Sequence, residues 1–321
     1  MKKLFLLLAA LLPGLLAHSQ EADRRGPYAE ATFVARAEYS TQEYGHHLGN
    51  SSIYAFVDGG FTERLSFSVA THLLNSEPGD LYKYTLHSDV ANWLDWAYLA
   101  YDFGKFQFSL GKNYIVAGTF EFDEYDCDLH YELASVYWMN MNTYQWGGKL
   151  TWSPVDNFRL SAHVSTSPFG ERPFSSGLYS YTIGGGGEAG CYSGLFSFNF
   201  HQREGMTFMK MLNMGHRVNL GNWQLTWDSN YDFSAKKVPM SQLFYVTYNL
   251  GDHWTFTGKA SLHTVGTDED NWLERAGTDW FGGLVVNWTP VKMIRVHALA
   301  SYDSITDKPS FNIGVTWKIT L

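Results

Sequence analysis

The chain has 321 residues, of which 45% are hydrophobic and 17% aromatic, and its formal net charge is −9 at pH 7. The acidic balance argues against nucleic acid or another polyanion as a partner. Two cysteines, Cys127 and Cys191, are too few for a disulfide framework. They could pair in an oxidising compartment, although the predicted strand topology places them at opposite ends of the fold.

The N-terminus has the layout of an export signal. Two lysines precede an apolar run over Leu4–Leu16, and small residues follow at the cleavage positions of segment 17–19. We expect residues 1–19 to be a cleaved signal peptide, 20–27 a short periplasmic segment, and 28–321 a single domain. Beyond the signal, no stretch reaches the roughly 18 apolar residues that a membrane-spanning helix needs.

From residue 28 onward, apolar and polar residues alternate with the period of two that is typical of β-strands. Mean hydropathy is only −0.23 because every second residue is polar. The pattern and its turn residues predict sixteen strands: Tyr28–Tyr39, Ile53–Phe61, Leu65–Leu73, Trp93–Phe103, Lys105–Tyr114, Tyr144–Trp152, Phe158–Ser165, Gly177–Ile183, Cys191–Phe200, Thr207–Leu220, Trp223–Phe233, Leu243–Leu250, Trp254–Leu262, Trp280–Trp288, Ile294–Tyr302 and Phe311–Leu321. Gly184–Gly187 is predicted to be a flexible turn, and a different course of residues 168–206 would reduce the count to fourteen.

The connections between the predicted strands alternate between short turns and long loops. Seven tryptophans lie near strand ends on the apolar face: Trp146, Trp152, Trp223, Trp254, Trp280, Trp288 and Trp317. Both features are typical of outer-membrane proteins, in which aromatic girdles flank a lipid-facing band. We therefore predict an all-β fold, a transmembrane antiparallel up-and-down β-barrel in the outer membrane of a Gram-negative cell. The alternative is a secreted β-sandwich whose aromatic residues form the core.

The third external loop, Val116–Asn142, is the longest connection and carries the densest charge. Six of its acids fall within twelve positions: Glu121, Asp123, Glu124, Asp126, Asp128 and Glu132. The loop is also partly apolar, so we expect it to fold into the lumen and form an acidic pore constriction that attracts cations. Two alternatives stay open: a calcium site, although the EF-hand spacing is absent, and a solvated acidic surface.

The predicted inward faces of the strands carry charges of both signs. A basic wall is predicted opposite the third loop, formed by Lys149, Arg159, His163, Lys259, Arg295 and His297. Opposed charges across a wet lumen suit a diffusion pore for polar solutes. These groups could instead pair with lumen acids and fill a narrow barrel.

Motifs of enzymes are missing from the sequence. It contains no G-x-S-x-G, H-E-x-x-H, Walker or C-x-x-C pattern, and scattered lumen serines and histidines occur in any polar barrel. We therefore predict no catalytic activity, no cofactor and no metal site other than the calcium alternative.

Phe106–Lys112, the acidic third loop and Tyr144–Gly148 together resemble porins of Bacteroidetes-type outer membranes. More distantly, the Leu-Gly-Lys motif resembles the phosphate-selective porin O/P family. The resemblance implies sixteen strands, a third loop inside the pore and a homotrimer. Phosphate selectivity is not carried over, because this chain has ten scattered arginines and an acidic third loop.

The function predicted from the sequence is that of a porin, a passive channel for small polar or charged solutes and ions, with outer-membrane lipid around it. The alternative belongs to another class of function. It is a structural or docking barrel that is plugged by its own third loop and serves as a subunit of a larger surface assembly.

Overall fold

The computed structural model describes residues 27–42, 45–47, 51–75, 94–123, 130, 133–135, 137–138, 141–170, 174–234, 238, 240–265, 277–304 and 307–321. The strands of these ranges form one antiparallel sheet. They are β1 (Tyr28–Gln42), β2 (Gly45–His47), β3 (Ser52–Gly60), β4 (Leu65–Asn75), β5 (Leu94–Asp102), β6 (Phe106–Tyr114), β7 (Tyr144–Val155), β8 (Phe158–Thr166), β9 (Tyr179–Ala189), β10 (Tyr192–Arg203), β11 (Met206–Leu220), β12 (Trp223–Asp232), β13 (Met240–Leu250), β14 (Trp254–Val265), β15 (Gly277–Val291), β16 (Ile294–Asp303) and β17 (Lys308–Thr320). A short helix, α1 (Phe120–Asp123), lies between β6 and β7.

The sheet closes on itself through its first and last strands. β1 pairs with β17 from Thr32 opposite Thr320 to Thr41 opposite Phe311. β2 and β3 lie one after the other along β1, so the two occupy a single position around the barrel. The fold is therefore a closed, antiparallel, up-and-down barrel of sixteen strand positions, which confirms the predicted class and strand number and rules out the count of fourteen.

Side-chain burial alternates along the strands as the sequence pattern predicts. On β12, Thr226, Asp228 and Asn230 are buried and point inward, whereas Leu225 and Trp227 are exposed on the outer surface. Polar groups thus face the interior and apolar groups face outward, the reverse of a water-soluble sandwich. The outer surface suits a hydrocarbon environment.

The two ends of the barrel differ. Short turns such as Gly221-Asn222 and Gly251–His253 join the strands at one end, where both termini of the barrel also lie. Five of the seven tryptophans that are at least 40% exposed lie near this end, namely Trp152, Trp223, Trp254, Trp288 and Trp317, whereas Trp227 lies in the middle of β12 and Trp280 near the opposite end. The connection between β6 and β7 leaves from the opposite end, which carries the longer connections. Within the described ranges, no helix has the length and apolar character needed to cross a bilayer.

The prediction for Gly184–Gly187 is wrong. These glycines lie inside β9, where Gly184–Gly187 pair with Phe158–Ser161 of β8 on one side and Gly194–Ser197 of β10 on the other. The turn instead falls at Gly190 and Cys191. A Cβ atom on Gly185 would come 2.3 Å from the carbonyl oxygen of Arg159, so the glycine allows a close approach of two strands. The signal-peptide prediction lies outside the described residues.

Candidate pore constriction

The residues that follow β6 run against the inner face of the barrel. Gly118 has a φ of +67°, and a Cβ atom there would lie 2.4 Å from the backbone nitrogen of Ser197 on β10. Only glycine combines this backbone conformation with so close an approach. The segment therefore passes directly over the inward side of β10 before α1 begins.

α1 is fastened to the barrel wall by a buried carboxylate. Asp228, on the inward face of β12, accepts hydrogen bonds from the backbone N–H groups of Phe120 (3.0 Å) and Glu121 (2.8 Å). The hydroxyl of Tyr245 on β13 donates to the same carboxylate. These bonds satisfy donors that the first turn of a helix cannot pair internally, so Asp228 fixes the start of α1.

The side chain of Glu121 provides a second anchor. Its carboxylate accepts a hydrogen bond from the backbone N–H of Ser135 (2.7 Å) and another from the Ser135 hydroxyl. The ammonium group of Lys259 on β14 lies 3.4 Å from the same carboxylate. Glu121 is 0% exposed. It therefore ties two parts of the segment to each other and to the wall, and it does not present its charge to water.

Apolar contacts extend this attachment. Leu133 is buried in a cluster with inward-facing residues of β13, β15 and β16, namely Leu243, Tyr245, Phe281, Val285 and Leu299. A Cβ atom on Gly283 would lie 2.7 Å from Leu133, so this glycine makes room for the leucine. Ile115, Tyr137 and Met141 form a second cluster with Met209 and Met211 of β11. Apolar burial inside a polar barrel favours a fixed segment over a solvated one.

A cavity of about 160 Å³ borders the segment on the side of β5 to β10. Asp123 and Arg159 both line it and form an ion pair, with 3.6 Å between carboxylate and guanidinium, and both side chains remain about half exposed. Lys149 also lines the cavity, with its ammonium group 4.1 Å from the centre of the Tyr114 ring. Burial raises the pKa of the Asp123 carboxyl above its usual value, while Arg159, Arg217 and Lys149 act in the opposite direction.

A second cavity, of about 260 Å³, borders the segment on the side of β12 to β16. His130 and Leu133 of the segment contribute to its lining, together with Lys259 and Arg295 of the wall. Described residues of the segment thus contribute to the linings of two cavities, and each of these linings has at least two basic side chains.

Of the predicted acidic constriction, Asp123 faces a cavity and Glu121 is a buried anchor. Glu124, Asp126, Asp128 and Glu132 lie outside the described residues, so the calcium alternative stays a prediction. The predicted basic wall divides into three groups. Lys149, Arg159 and Arg295 line cavities, Lys259 faces both a cavity and Glu121, and His163 and His297 are almost fully buried.

Several residues of this site were not among the predicted ones. Asp228, Ser135, Leu133 and Tyr245 hold the segment in place. The available signal was a set of apolar residues, such as Leu243, at inward positions that should be polar in a water-filled barrel. Cys191 is exposed at the turn between β9 and β10. Its pairing with Cys127 stays untested, because Cys127 lies outside the described residues.

No protein-family model matches this chain, and no curated protein matches it in sequence. Solved structures do match its fold. OmpF of Salmonella typhi, in complex with daunomycin, is 11% identical, with a TM-score of 0.65 over 91% of this chain and 97% of that one. The anion-selective porin from Comamonas acidovorans is 8% identical, with a TM-score of 0.61 over 91% and 100% of the two chains.

OmpT of Vibrio cholerae, in a trimer form, is 12% identical, with a TM-score of 0.55 over 92% of this chain and 100% of that one. At such identities the likeness concerns the fold alone. This chain has the barrel fold of the outer-membrane porins. The narrower resemblances to Bacteroidetes-type and phosphate-selective porins stay predictions.

Proposed function

We propose that this protein is an outer-membrane porin, a passive channel through which small polar or charged solutes diffuse. Its apolar outer surface would contact lipid, and its polar inner faces would enclose water. No catalytic step, cofactor or metal is needed, because a fixed constriction selects solutes by size and charge. The trimer form of the similar OmpT barrel supports a homotrimer.

The constriction is proposed to be the segment between β6 and β7. The observation that carries this proposal is the anchoring of α1 to Asp228 and Lys259 of the barrel wall, with Ser135 bonded to Glu121 of α1 and a cavity on either side. A segment held at several points across the inner wall leaves two restricted passages beside it. A segment free in solvent would restrict nothing.

Among the described acids of the segment, Asp123 is proposed to act on passing ions, with Arg159 and Lys149 opposite. The Asp123 carboxylate is about half exposed to the cavity. The Glu121 carboxylate, by contrast, is buried and accepts a hydrogen bond from Ser135. Neutralising Asp123 removes one negative charge from a lining that holds two positive ones. The passage should therefore become less favourable to cations and more favourable to anions.

The pH dependence has a definite sign. Burial raises the pKa of Asp123, so its carboxylate becomes neutral at a higher pH than an ordinary aspartate would. As the pH falls through the pKa of Asp123, the preference of the channel for cations should decrease. An Asp123→Asn variant should lack this component of the pH response, because it is already neutral.

The test is to reconstitute the protein in planar bilayers and to measure reversal potentials in a salt gradient. Asp123→Asn should shift the reversal potential towards anion preference. Asp252→Asn serves as the matched control, because Asp252 is exposed in the short turn between β13 and β14. Equal reversal potentials for Asp123→Asn and the wild type would show that Asp123 does not act on passing ions.

Conductance also separates the proposed channel from the plugged structural barrel. Stepwise currents support the channel, and a folded barrel that never conducts supports the plug.

A further inference from the structure

A cluster of buried ionisable groups joins the segment to the barrel wall where β16, β17 and β1 meet. Glu38 of β1 is at its centre and is 2% exposed. Its carboxylate accepts hydrogen bonds from Nε of Arg36 (3.0 Å), Nε2 of His297 (2.8 Å) and Nδ2 of Asn312 (3.1 Å). Three strands thus converge on one carboxylate, which positions the imidazole of His297 and the guanidinium of Arg36.

His130, from the segment between β6 and β7, docks onto this cluster. Its Nδ1 lies 3.4 Å from Nη2 of Arg36, and its ring meets that of His297 edge to face at 4.9 Å between centroids. Because a guanidinium can only donate, the contact requires Nδ1 of His130 to be an unprotonated acceptor. The docked geometry therefore selects the neutral imidazole.

A divalent cation fits this cluster poorly. The two carboxylate oxygens of Glu38 are already occupied by Arg36, His297 and Asn312. The Arg36 guanidinium also stands next to His130 and would repel the ion. The cluster therefore has the chemistry of a contact that depends on protonation, and it does not have the chemistry of a metal site.

The charges that face His130 in the described residues are mostly positive. Arg36 comes from β1, Arg295 and His297 from β16, and Lys259 from β14, and each of them disfavours a positive charge on the ring. Glu38 is the acid within the cluster, and it is shared with Arg36 and His297. Burial, followed by these neighbours, holds the pKa of His130 well below its ordinary value.

We propose that His130 is an acid-sensitive latch: its neutral ring holds the segment around Leu133 against β1 and β16, and protonation releases the segment. A protonated His130 would lose its acceptor nitrogen and would place a cation beside Arg36. Leu133 is attached three residues further along the chain, so release of His130 loosens its docking as well.

The direction in which pH changes the docking of the segment follows from proton linkage. The docked state disfavours the proton, so docking is strongest above the ordinary histidine pKa of about 6.5 and weakens as the pH falls below it. Each pH unit below that point should weaken docking by up to about tenfold, until the docked ring itself is protonated. Acid would therefore detach this part of the segment from the barrel wall.

The experiment is hydrogen–deuterium exchange of the full-length folded barrel in detergent, corrected for the intrinsic pH dependence of exchange. Amides of residues 130–135 should lose about tenfold of their protection per pH unit below about pH 6.5, while strand amides stay protected. In His130→Gln, the neutral amide should make protection independent of pH. The control His253→Gln alters an exposed histidine of a short turn and should respond as the wild type does.

Constant protection of residues 130–135 in the wild type between about pH 7.5 and about pH 4.5 would overturn the latch, whether or not the variants fold. The same loss of protection in His130→Gln as in the wild type would also overturn it. Because exchange needs no ion flow, a barrel that never conducts would contradict the proposed channel and leave the latch test intact. In a conducting barrel, acidification should increase the noise of the open-channel current in the wild type and should not do so in His130→Gln.

Discussion

Asp228→Ala is the perturbation that tests the anchoring of the segment most sharply. The substitution removes the acceptor for the backbone N–H groups of Phe120 and Glu121, which lie 3.0 and 2.8 Å from the carboxylate. A buried donor without a partner costs about 1–3 kcal/mol. Two such donors correspond to about 2–6 kcal/mol of lost docking free energy, and each 1.4 kcal/mol is about a tenfold change in the equilibrium.

Docking should therefore weaken by about thirtyfold or more. The assay is single-channel recording combined with limited proteolysis of the folded barrel. We expect a larger and noisier open-channel current, together with faster cleavage between β6 and β7, because the segment no longer stays against β12.

Asp58→Ala is the matched control. Asp58 is an inward-facing acid of β3 and is exposed to the lumen, so its loss changes lumen charge without touching the anchor. The control should keep the current noise and cleavage rate of the wild type. If Asp228→Ala behaved in the same way as Asp58→Ala, the carboxylate would not be the anchor and the proposed constriction would lose its main support.

Two further predictions concern packing. Leu133→Ala should weaken docking of the segment by about 2–5 kcal/mol, since it empties a buried apolar site, and proteolysis should then cut between β6 and β7 faster while the barrel itself resists. Gly185→Ala should lower the yield of folded barrel, because its Cβ would lie 2.3 Å from the carbonyl oxygen of Arg159. Gly282→Ala, whose Cβ would lie 3.5 Å from the nearest atom, should fold normally. The fraction of barrel that resists SDS without heating measures both glycine variants, and equal yields would contradict the close approach of β8 and β9.

The barrel could be predicted from the sequence because a single physical rule governs nearly every strand. A residue on a barrel strand faces either lipid or lumen, so strands such as Phe311–Leu321 alternate visibly between apolar and polar residues. Gly184–Gly187 escaped this rule, because glycine has no side chain with which to mark a face. The place of these glycines in β9 depends on the close backbones of β8 and β10. A single sequence does not show which strands are neighbours.

Less of the candidate constriction could be predicted from the sequence. The loop was recognisable by its length and acidity, but burial decides which acid meets solvent, and burial is a tertiary property. Glu121 and Asp123 look equivalent in the sequence, yet one is enclosed by Ser135 and Lys259 and the other faces a cavity. Asp228 could not be singled out, because it is one of many polar residues at inward positions.

The central claim is that this barrel encloses a water-filled passage past a segment fixed to its wall. The most direct measurement is the current carried by the purified, folded wild-type protein in a planar bilayer. The account predicts discrete, long-lived current steps that are larger in Asp228→Ala. A correctly folded barrel that inserts into the bilayer and stays electrically silent, in the wild type and in Asp228→Ala alike, would contradict it.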